Sequence, residues 1–270
     1  METVDWSIVA SGWERNRDTV QRATEALAQR LLDELALQPG ERVLELGGGT
    51  GDFARTLADA VGPTGHVIAT DVAAGMVAVM KRTLDGVGNA DVRQVDATAI
   101  DLPDASVDAV VFRMGLMFTL DPAAVLAGIR RVLAPGGRVA IATWAAPQHN
   151  PWAATVGMAA MVQGLVQGGP PTGPGGLFSI GTSEALDALL EGAGFATTCA
   201  EIPLTLSFAS AEAHVAHVLE MAAPLAHALQ GATPEQLDQL RAAVTGLTAP
   251  FATDDGLALP GLALLGIGRT

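Results

Sequence analysis

The chain has 270 residues, 49% of them hydrophobic, which suits one α/β domain with a modest insertion better than two independent domains. Its formal net charge is -14 with only 15 lysines and arginines, so its field repels a phosphate backbone and we expect no nucleic-acid partner. Cys199 is the only cysteine, which rules out an intramolecular disulfide and predicts a reducing, cytoplasmic compartment.

Neither the N-terminus nor the long uncharged stretch has the pattern of a membrane segment. The first residues carry acids and neither a basic leader nor a sustained apolar run, so we expect no secretory signal. Residues 139–183 lack Asp, Glu, Lys and Arg, but Pro, Gly, Gln, His and Asn interrupt them too often for a membrane helix. We therefore expect no membrane span, and interpret this stretch as part strand and part cover over an apolar cavity.

Strand and helix patterns alternate along the first half of the chain. An amphipathic helix is predicted over residues 18–37, a strand over 42–46, and a helix after the glycines at 47–51. The pattern continues with strands at 66–70, 91–95, 107–112 and 138–144 and helices at 73–87 and 122–133. Strands separated by helices of this length favour parallel pairing through right-handed crossovers, and hence a doubly wound sheet.

The second half breaks this rhythm. Residues 147–176 are rich in Pro and Gly, a helix is predicted over 183–192 with Ser183 as its N-cap, and a strand over 196–208. Further helices are predicted over 211–230 and 234–247, and a last strand or hairpin arm over 257–269.

The glycines at 47, 49 and 51 follow a strand and open a helix, where a tight turn lets a nucleotide-like ligand approach the main chain. Asp52 stands where a dinucleotide fingerprint needs a third glycine, which disfavours NAD. No G-x-x-x-x-G-K-[ST] occurs, which excludes a P-loop NTPase.

Asp71 ends the second strand, 20 residues beyond Gly51, where a carboxylate can accept hydrogen bonds from both ribose hydroxyls of an adenosine. The alternative is an ordinary glycine turn with Asp71 as a helix cap. Likewise, Asp96 after the third strand is either a ligand group or a surface acid.

Residues 43–51, of sequence VLELGGGTG, resemble the first motif of class I methyltransferases that use S-adenosylmethionine (SAM). The resemblance continues through Asp71, Asp96 and the run LAPGGR at 133–138. It is strongest to the ubiquinone/menaquinone-biosynthesis (UbiE-like) type, in which an acid after the third strand precedes a run like DLPDASVD at 101–108. It covers residues 40–145 strongly and the remainder loosely, and several motifs in register are far more specific than one.

The resemblance implies SAM as cofactor and S-adenosylhomocysteine (SAH) as product. It implies that Glu45 orients the glycine loop and the methionine end of SAM, Asp71 binds the ribose, Asp96 with Ala97 binds the adenine, and Met76 packs on base or sugar. The full predicted cofactor set is Glu45, Gly47, Gly49, Thr50, Gly51, Asp71, Val72, Met76, Asp96, Ala97 and Arg113.

The expected fold is α/β: a Rossmann-like, doubly wound sheet of about seven strands, mostly parallel with an antiparallel last strand, plus a helical cap. We expect a helical flap at 1–37 and a SAM-binding core at 38–146. Cap or acceptor-site insertions are expected at 147–181 and 209–250, and the C-terminal part of the core sheet at 182–208 and 251–270.

Acceptor-site residues are predicted in the segments after the fourth and fifth strands. Met114, Met117 and Phe118 either line an adaptable hydrophobic pocket or pack in the core, and Trp152 is a further candidate. His149 is the candidate general base, with an exposed loop histidine as its alternative. With no tyrosine in the chain, a base must be His, Asp, Glu or water.

Two weaker patterns add further candidates. Trp6, Trp13, Arg15 and Arg17 lie where related enzymes place an aromatic and a cation near the methionine carboxylate. His214, His217 and Glu220 share one face of a predicted helix, which fits a solvated or acceptor-lining face better than a metal site, so we expect no metal.

The function predicted from these patterns is methyl transfer from SAM to a small, largely apolar acceptor, at oxygen or carbon, in quinone, prenyl or secondary metabolism. The alternative keeps the SAM-binding scaffold but gives it a non-methylating role, as a cyclase or partner subunit. A nicotinamide-dependent reductase is disfavoured by the glycine spacing and by the lack of a Tyr-x-x-x-Lys pair. We expect a monomer or homodimer.

Overall fold

The computed structural model describes residues 5–167 and 171–270. Residues 1–4 of the predicted flap and 168–170 of the first predicted cap insertion lie outside the described residues. The strands of the described part are β1 (Arg42–Leu46), β2 (His66–Asp71), β3 (Ala90–Gln94), β4 (Val107–Arg113), β5 (Leu133–Trp144), β6 (Ala196–Phe208), β7 (Ala252–Thr253) and β8 (Gly256–Arg269). The α-helices are α1 (Ala10–Leu35), α2 (Asp52–Val61), α3 (Ala74–Thr83), α4 (Pro122–Val132), α5 (Pro151–Val162), α6 (Ser183–Gly192), α7 (Ala211–Met221), α8 (Ala223–Ala228) and α9 (Pro234–Thr248).

One mixed sheet runs in the order β3-β2-β1-β4-β5-β8-β6, with the short β7 beside β8. Strands β1 to β5 pair in parallel, whereas β8 is antiparallel to both β5 and β6. The chain winds outward from β1 to β3 and then returns to β4 on the other side of β1. This reversal puts the crossover helices on opposite faces and leaves a crevice at the carboxyl ends of β1 and β4. The predicted doubly wound sheet with an antiparallel last strand is confirmed.

The core lies on both faces of this sheet. Strand β1 is buried from Val43 to Leu46, as expected for a parallel strand covered on both sides. Helix α1 buries Leu27, Leu31 and Leu35, which recur every four residues on one face. The sequence pattern therefore determines which helix face covers the sheet.

A second apolar cluster joins the helices outside the sheet. Val156 and Ala160 of α5 belong to it with Val218 of α7 and Leu240 and Val244 of α9. These helices form the predicted helical cap. No helix of the described residues has both the length and the apolar character needed to cross a bilayer.

The predicted ends of three helices were wrong. Helix α1 begins at Ala10 rather than near residue 18, because its first two turns are held by contacts with α3 and α7 rather than by apolar periodicity. Helix α3 ends at Thr83, before a turn with Gly86 at φ +78°. Thr182, not Ser183, caps α6 by accepting from the Ala185 N–H.

Strand β5 begins at Leu133 rather than at residue 138, and two further corrections concern the cap. The predicted helix over 211–230 is broken at Ala222, because Pro224 in the first turn of α8 cannot donate to the preceding turn. The Pro- and Gly-rich stretch after β5 contains α5, which tolerates Pro151 at its first position.

Candidate cofactor site

The glycine loop between β1 and α2 is a turn in which three residues adopt positive φ angles. Gly47, Gly49 and Gly51 have φ of +60°, +58° and +83°, a region in which an L side chain is strained. The Gly48 N–H donates to the Thr70 carbonyl at 2.8 Å, which ties the loop to the end of β2. Among the described residues no atom lies within 4 Å of where a Cβ on Gly49 would stand, so the main chain there is open to a ligand.

Asp71 holds the glycine loop and the start of α3 in one arrangement. Its Oδ2 accepts from the Gly49 N–H at 3.0 Å and its Oδ1 from the Ala73 N–H at 2.9 Å. Burial raises the pKa of the Asp71 carboxyl, while these main-chain donors oppose the rise. Each carboxylate oxygen keeps a second lone pair, so the group can still accept from the hydroxyls of a diol.

Glu45 is a buried carboxylate with an incomplete set of partners. Its side chain is 1% exposed, and Oε2 has no hydrogen-bond partner among the described residues. Burial raises its pKa to about 7; the Arg113 cation opposes the rise, whereas the neighbouring Asp71 and Asp52 add to it. A cationic ligand above the loop would stabilise the ionised form of Glu45.

Arg113, at the end of β4, lies over the Phe53 ring with its guanidinium carbon 4.8 Å from the ring centroid. Its Nη1 donates to the Thr24 hydroxyl of α1 at 3.5 Å. Burial lowers the Arg113 pKa, and the negative charges of Glu45 and Asp52 only partly oppose this. Arg113 thus links the first turn of α2 to α1.

Arg17 reaches the same loop from α1. Its Nη2 donates to the Thr83 hydroxyl at 2.7 Å and lies 3.4 Å from Asp52 Oδ1, while Thr50 donates to the other Asp52 oxygen at 2.6 Å. The Arg17 Nε–H is buried without a partner among the described residues. A carboxylate at this end of the loop would satisfy that donor.

The candidate adenine residues lie on the open edge beside β2 and β3. Val72 and Asp96 are exposed and Ala97 is half-buried. Asp96 Oδ1 accepts from the Thr98 N–H and hydroxyl, both at 2.8 Å. Met76 differs, since it is buried with Val9 and other residues beneath the N-terminal segment.

The acceptor candidates after β4 are mostly covered. Met114 has φ +59°, an uncommon conformation for a side chain of its size, and Gly115 packs so closely that a Cβ there would lie 1.9 Å from Phe112. Met117 is buried, and the Phe118 ring lies 4.7 Å from that of Trp6. The N-terminal segment therefore lies directly on this part of the site.

The two candidate residues after β5 lie in different surroundings. His149 is exposed on the turn Pro147–His149. Trp152 packs on Trp144 with centroids 4.8 Å apart and donates through Nε1 to Asn150 at 3.1 Å. The sequence thus identified one exposed and one well-anchored side chain, and the pattern alone could not tell them apart.

His214 and His217 face the protein interior, and the described residues contain no group of three or more potential metal ligands. His217 Nδ1 pairs with Asn16 Oδ1 at 2.8 Å, and Asn16 donates to Glu220 at 2.7 Å. Sequence reasoning missed Asn16, because a lone Asn within a helix carries no periodic signal. It also missed the role of Asp52, for which an acid at the first position of α2 is the available signal.

Two cavities in the described part of the chain lie away from the glycine loop. The larger, about 270 Å³, is bounded by Arg30 and Glu34 of α1 and by Thr198 and Cys199 of β6. Burial, aided by Asp187, raises the pKa of Cys199 to about 12, so this thiol stays protonated. The predicted apolar cavity over the site is not among these two.

Gly48→Ala tests whether the loop geometry matters. A Cβ on Gly48 would lie 2.6 Å from Glu45 Oε2 and 2.9 Å from Met80 Cε, so the buried carboxylate must move. We expect a loss of about 1–3 kcal/mol in the free energy of unfolding, measured by urea denaturation. Gly246→Ala is the control: nothing lies within 4 Å of its Cβ, and a helical Ala should stabilise α9 by up to about 1 kcal/mol. Equal effects of the two changes would contradict this geometry.

Comparison with known proteins agrees with the architecture. Residues 43–137 match the family model described as "Methyltransferase domain". A ubiquinone/menaquinone biosynthesis C-methyltransferase UbiE of Ectopseudomonas mendocina is 38% identical over 152 residues, which are 55% of this chain and 59% of that protein. The match thus spans less than two thirds of that relative.

Two solved structures share the fold at low identity. The YcgJ protein of Bacillus subtilis aligns with a TM-score of 0.61 at 17% identity, over 90% of this chain and 97% of its own. A SAM-dependent methyltransferase of Aquifex aeolicus aligns with a TM-score of 0.55 at 22% identity, over 73% of this chain and 92% of its own. At these identities the similarity concerns the fold alone.

Proposed function

We propose that this chain, whose residues 43–137 match the methyltransferase-domain model, is a class I enzyme that transfers the methyl group of SAM to a small, largely apolar acceptor. The observation that carries the proposal is the glycine loop fixed by Asp71 above the buried, incompletely partnered Glu45. An open main-chain turn beside two acids suits a ligand that is both a nucleoside and a cation.

Each end of SAM has matching groups on this edge. Asp71 would accept from the ribose hydroxyls, Asp96 and Ala97 would contact the adenine, and Val72 would cover its face. The Arg17 Nε–H is the buried donor available for the methionine carboxylate. Bound SAM supplies a methyl group on a cationic sulfonium, and Glu45 stabilises that charge.

Most of the rate is expected from alignment and exclusion of water. Methyl transfer turns a cationic sulfonium into a neutral thioether, so a dry, pre-shaped site lowers the barrier without many catalytic side chains. Met114, Met117, Phe118 and Trp152 are the proposed acceptor contacts. His149 is the proposed base for an O–H or C–H acceptor, and its exposure makes it the most easily tested member of the set.

The proposed acceptor belongs to the quinone, prenyl or related apolar compounds, methylated at carbon or oxygen. The name of the Ectopseudomonas mendocina relative supports this class, since it describes a C-methyltransferase of ubiquinone and menaquinone biosynthesis. The net charge of -14 supports a small molecule over nucleic acid. A monomer or homodimer acting in the cytoplasm completes the proposal, and the single cysteine is consistent with that compartment.

Incubation with methyl-labelled SAM tests the proposal. The purified chain is offered hydroquinones, phenols, prenyl compounds and carboxylates, and transfer is read by scintillation counting and mass spectrometry. We expect label in an apolar acceptor and formation of SAH. His149→Ala is run beside it, and unchanged turnover at every pH would remove His149 as the base. SAM binding without label in any compound would favour the non-methylating scaffold.

A further inference from the structure

A partly buried polar cluster between α1 and α7 contains no group that the proposed function places against SAM or the acceptor. It consists of Asn16 of α1 and His214, His217 and Glu220 of α7, and we call it the α1–α7 cluster. His214 is fully buried and His217 is 6% exposed. The Phe208 ring lies 4.9 Å from the His214 ring and 5.1 Å from the His217 ring, measured between centroids. The cluster is thus a set of hydrogen-bonding groups in an otherwise apolar contact.

Its hydrogen bonds have one consistent direction. The Asn16 Nδ2 group donates to the Gly12 carbonyl at 2.9 Å and to Glu220 Oε2 at 2.7 Å, so Asn16 Oδ1 must be the acceptor toward His217. His217 Nδ1, 2.8 Å away, then carries the proton. Burial and the nearby His214 lower the His217 pKa to about 4 although Glu220 opposes this, so the ring is neutral at pH 7 and still donates.

The backbones of the two helices are also in close contact here. A Cβ on Gly12 would lie 2.0 Å from the Glu220 carbonyl oxygen, so only glycine fits at this crossing. At the next residue, Trp13 Nε1 donates to the Met221 carbonyl at 3.1 Å. His214 Nε2 pairs with the Trp152 carbonyl, which ties α7 to α5 as well. The register of α1 on α7 is therefore fixed by direct contacts.

The same stretch of α1 also contacts the residues beside the glycine loop, through the side chain of Arg17. Arg17 follows Asn16 directly and pairs with Asp52 of α2 and Thr83 of α3. A shift of α1 along α7 by one residue would move Arg17 by about 1.5 Å along the helix axis and rotate it by about 100°. The position of Arg17 over the loop thus depends on the α1–α7 register.

Stability alone does not account for such a cluster. Replacing a buried polar pair by apolar groups of similar volume is often neutral or stabilising, whereas hydrogen bonds such as those that join His217, Asn16 and Glu220 specify one arrangement. His214 is not part of this chain of bonds, and its Nδ1 has no partner among the described residues. The hydrogen bonds of this cluster instead determine how α1 is positioned along α7.

We propose that His217 and Asn16 are positioning residues that hold α1 in register on α7 and thereby keep Arg17 at the SAM site. The predicted effect on SAM binding rests on the proposed function, whereas the fixed register of α1 on α7 does not. His217 acts through Asn16 and Arg17 and does not itself touch the cofactor.

A double-mutant cycle between His217 and Arg17 tests the proposal by isothermal titration of the full chain with SAM. His217→Phe keeps an aromatic ring and removes the donor, and we expect it to weaken SAM binding about tenfold. In an Arg17→Ala background the same change should add no more than about twofold, because the group being positioned is already gone. His217→Gln, which keeps an N–H donor, should recover part of the affinity, and the exposed His227→Phe is the matched control.

Hydrogen exchange of the protein without SAM gives an independent readout. His217→Phe should speed amide exchange over residues 10–20, while a thermal melt shows whether the variant is folded. Unchanged exchange there, unchanged SAM affinity, or fully additive losses with Arg17→Ala would each overturn the proposal. If wild-type protein fails to bind SAM while exchange over 10–20 still accelerates in His217→Phe, the proposed function fails and the fixed register of α1 stands.

Discussion

Asp71→Ala is expected to weaken SAM binding by at least about 100-fold, because two hydrogen bonds from ribose hydroxyls to a carboxylate contribute about 1.5–3 kcal/mol each. The same change removes the acceptor for the Gly49 and Ala73 N–H groups. We therefore also expect a loss of about 1–3 kcal/mol in the free energy of unfolding. Titration calorimetry measures the first effect and urea denaturation the second.

Two further variants separate binding from folding. Asp59→Ala removes the same charge from an exposed position of α2 and should leave both quantities unchanged. Asp71→Asn keeps one acceptor oxygen for the main chain and should be more stable than Asp71→Ala while still binding SAM poorly. Wild-type affinity in a folded Asp71→Ala protein would rule out the ribose role.

Glu45→Gln is expected to change the pH dependence of two properties. In the wild-type protein burial raises the Glu45 pKa from 4.5 to about 7, so the folded state holds its proton more tightly than the unfolded state. Its stabilising contribution is thus complete below pH 4.5 and is lost as the pH rises through about 7, at a cost of roughly 3 kcal/mol. Glu45→Gln should remove this loss and make the protein without SAM more stable at pH 8.

SAM binding should respond in the opposite sense. The cation favours ionised Glu45, so wild-type affinity should rise with pH toward 8 and binding near pH 7 should release a proton. That proton is measurable by calorimetry in buffers of different ionisation enthalpy. Glu45→Gln should lose the proton release and bind SAM roughly tenfold more weakly at pH 8. Glu25→Gln, at an exposed site on α1, is the control. Identical pH profiles of Glu45→Gln and wild type would contradict this role of Glu45.

The sequence was most informative where one local pattern determines the structure. The alternation of apolar runs with helical periods predicted strands β1 to β5, and the spacing of Gly47, Gly49 and Gly51 predicted a tight turn, in which all three have positive φ. Asp71 could be placed beside that turn because the carboxyl ends of adjacent parallel strands lie at one edge.

The sequence pattern did not predict contacts between segments that are far apart along the chain. The first turns of α1 are held by Asn16 and Trp13 against α7, some 200 residues away, and no periodicity indicates that pairing. Met76 illustrates the same limit: the resemblance predicts that it packs on the base or sugar of the cofactor, and the structure adds a contact with Val9 of the N-terminal segment that no local pattern indicates. Tertiary packing, not local pattern, decides which side of such a residue is covered.

Calorimetric titration of the purified chain with SAM and with SAH tests the central claim most directly. We predict one site per chain for each compound, with affinity lost in Asp71→Ala and retained in Asp59→Ala. An absence of binding heat for both compounds, in a protein whose thermal melt shows it to be folded and which neither compound stabilises, would contradict a SAM-dependent function.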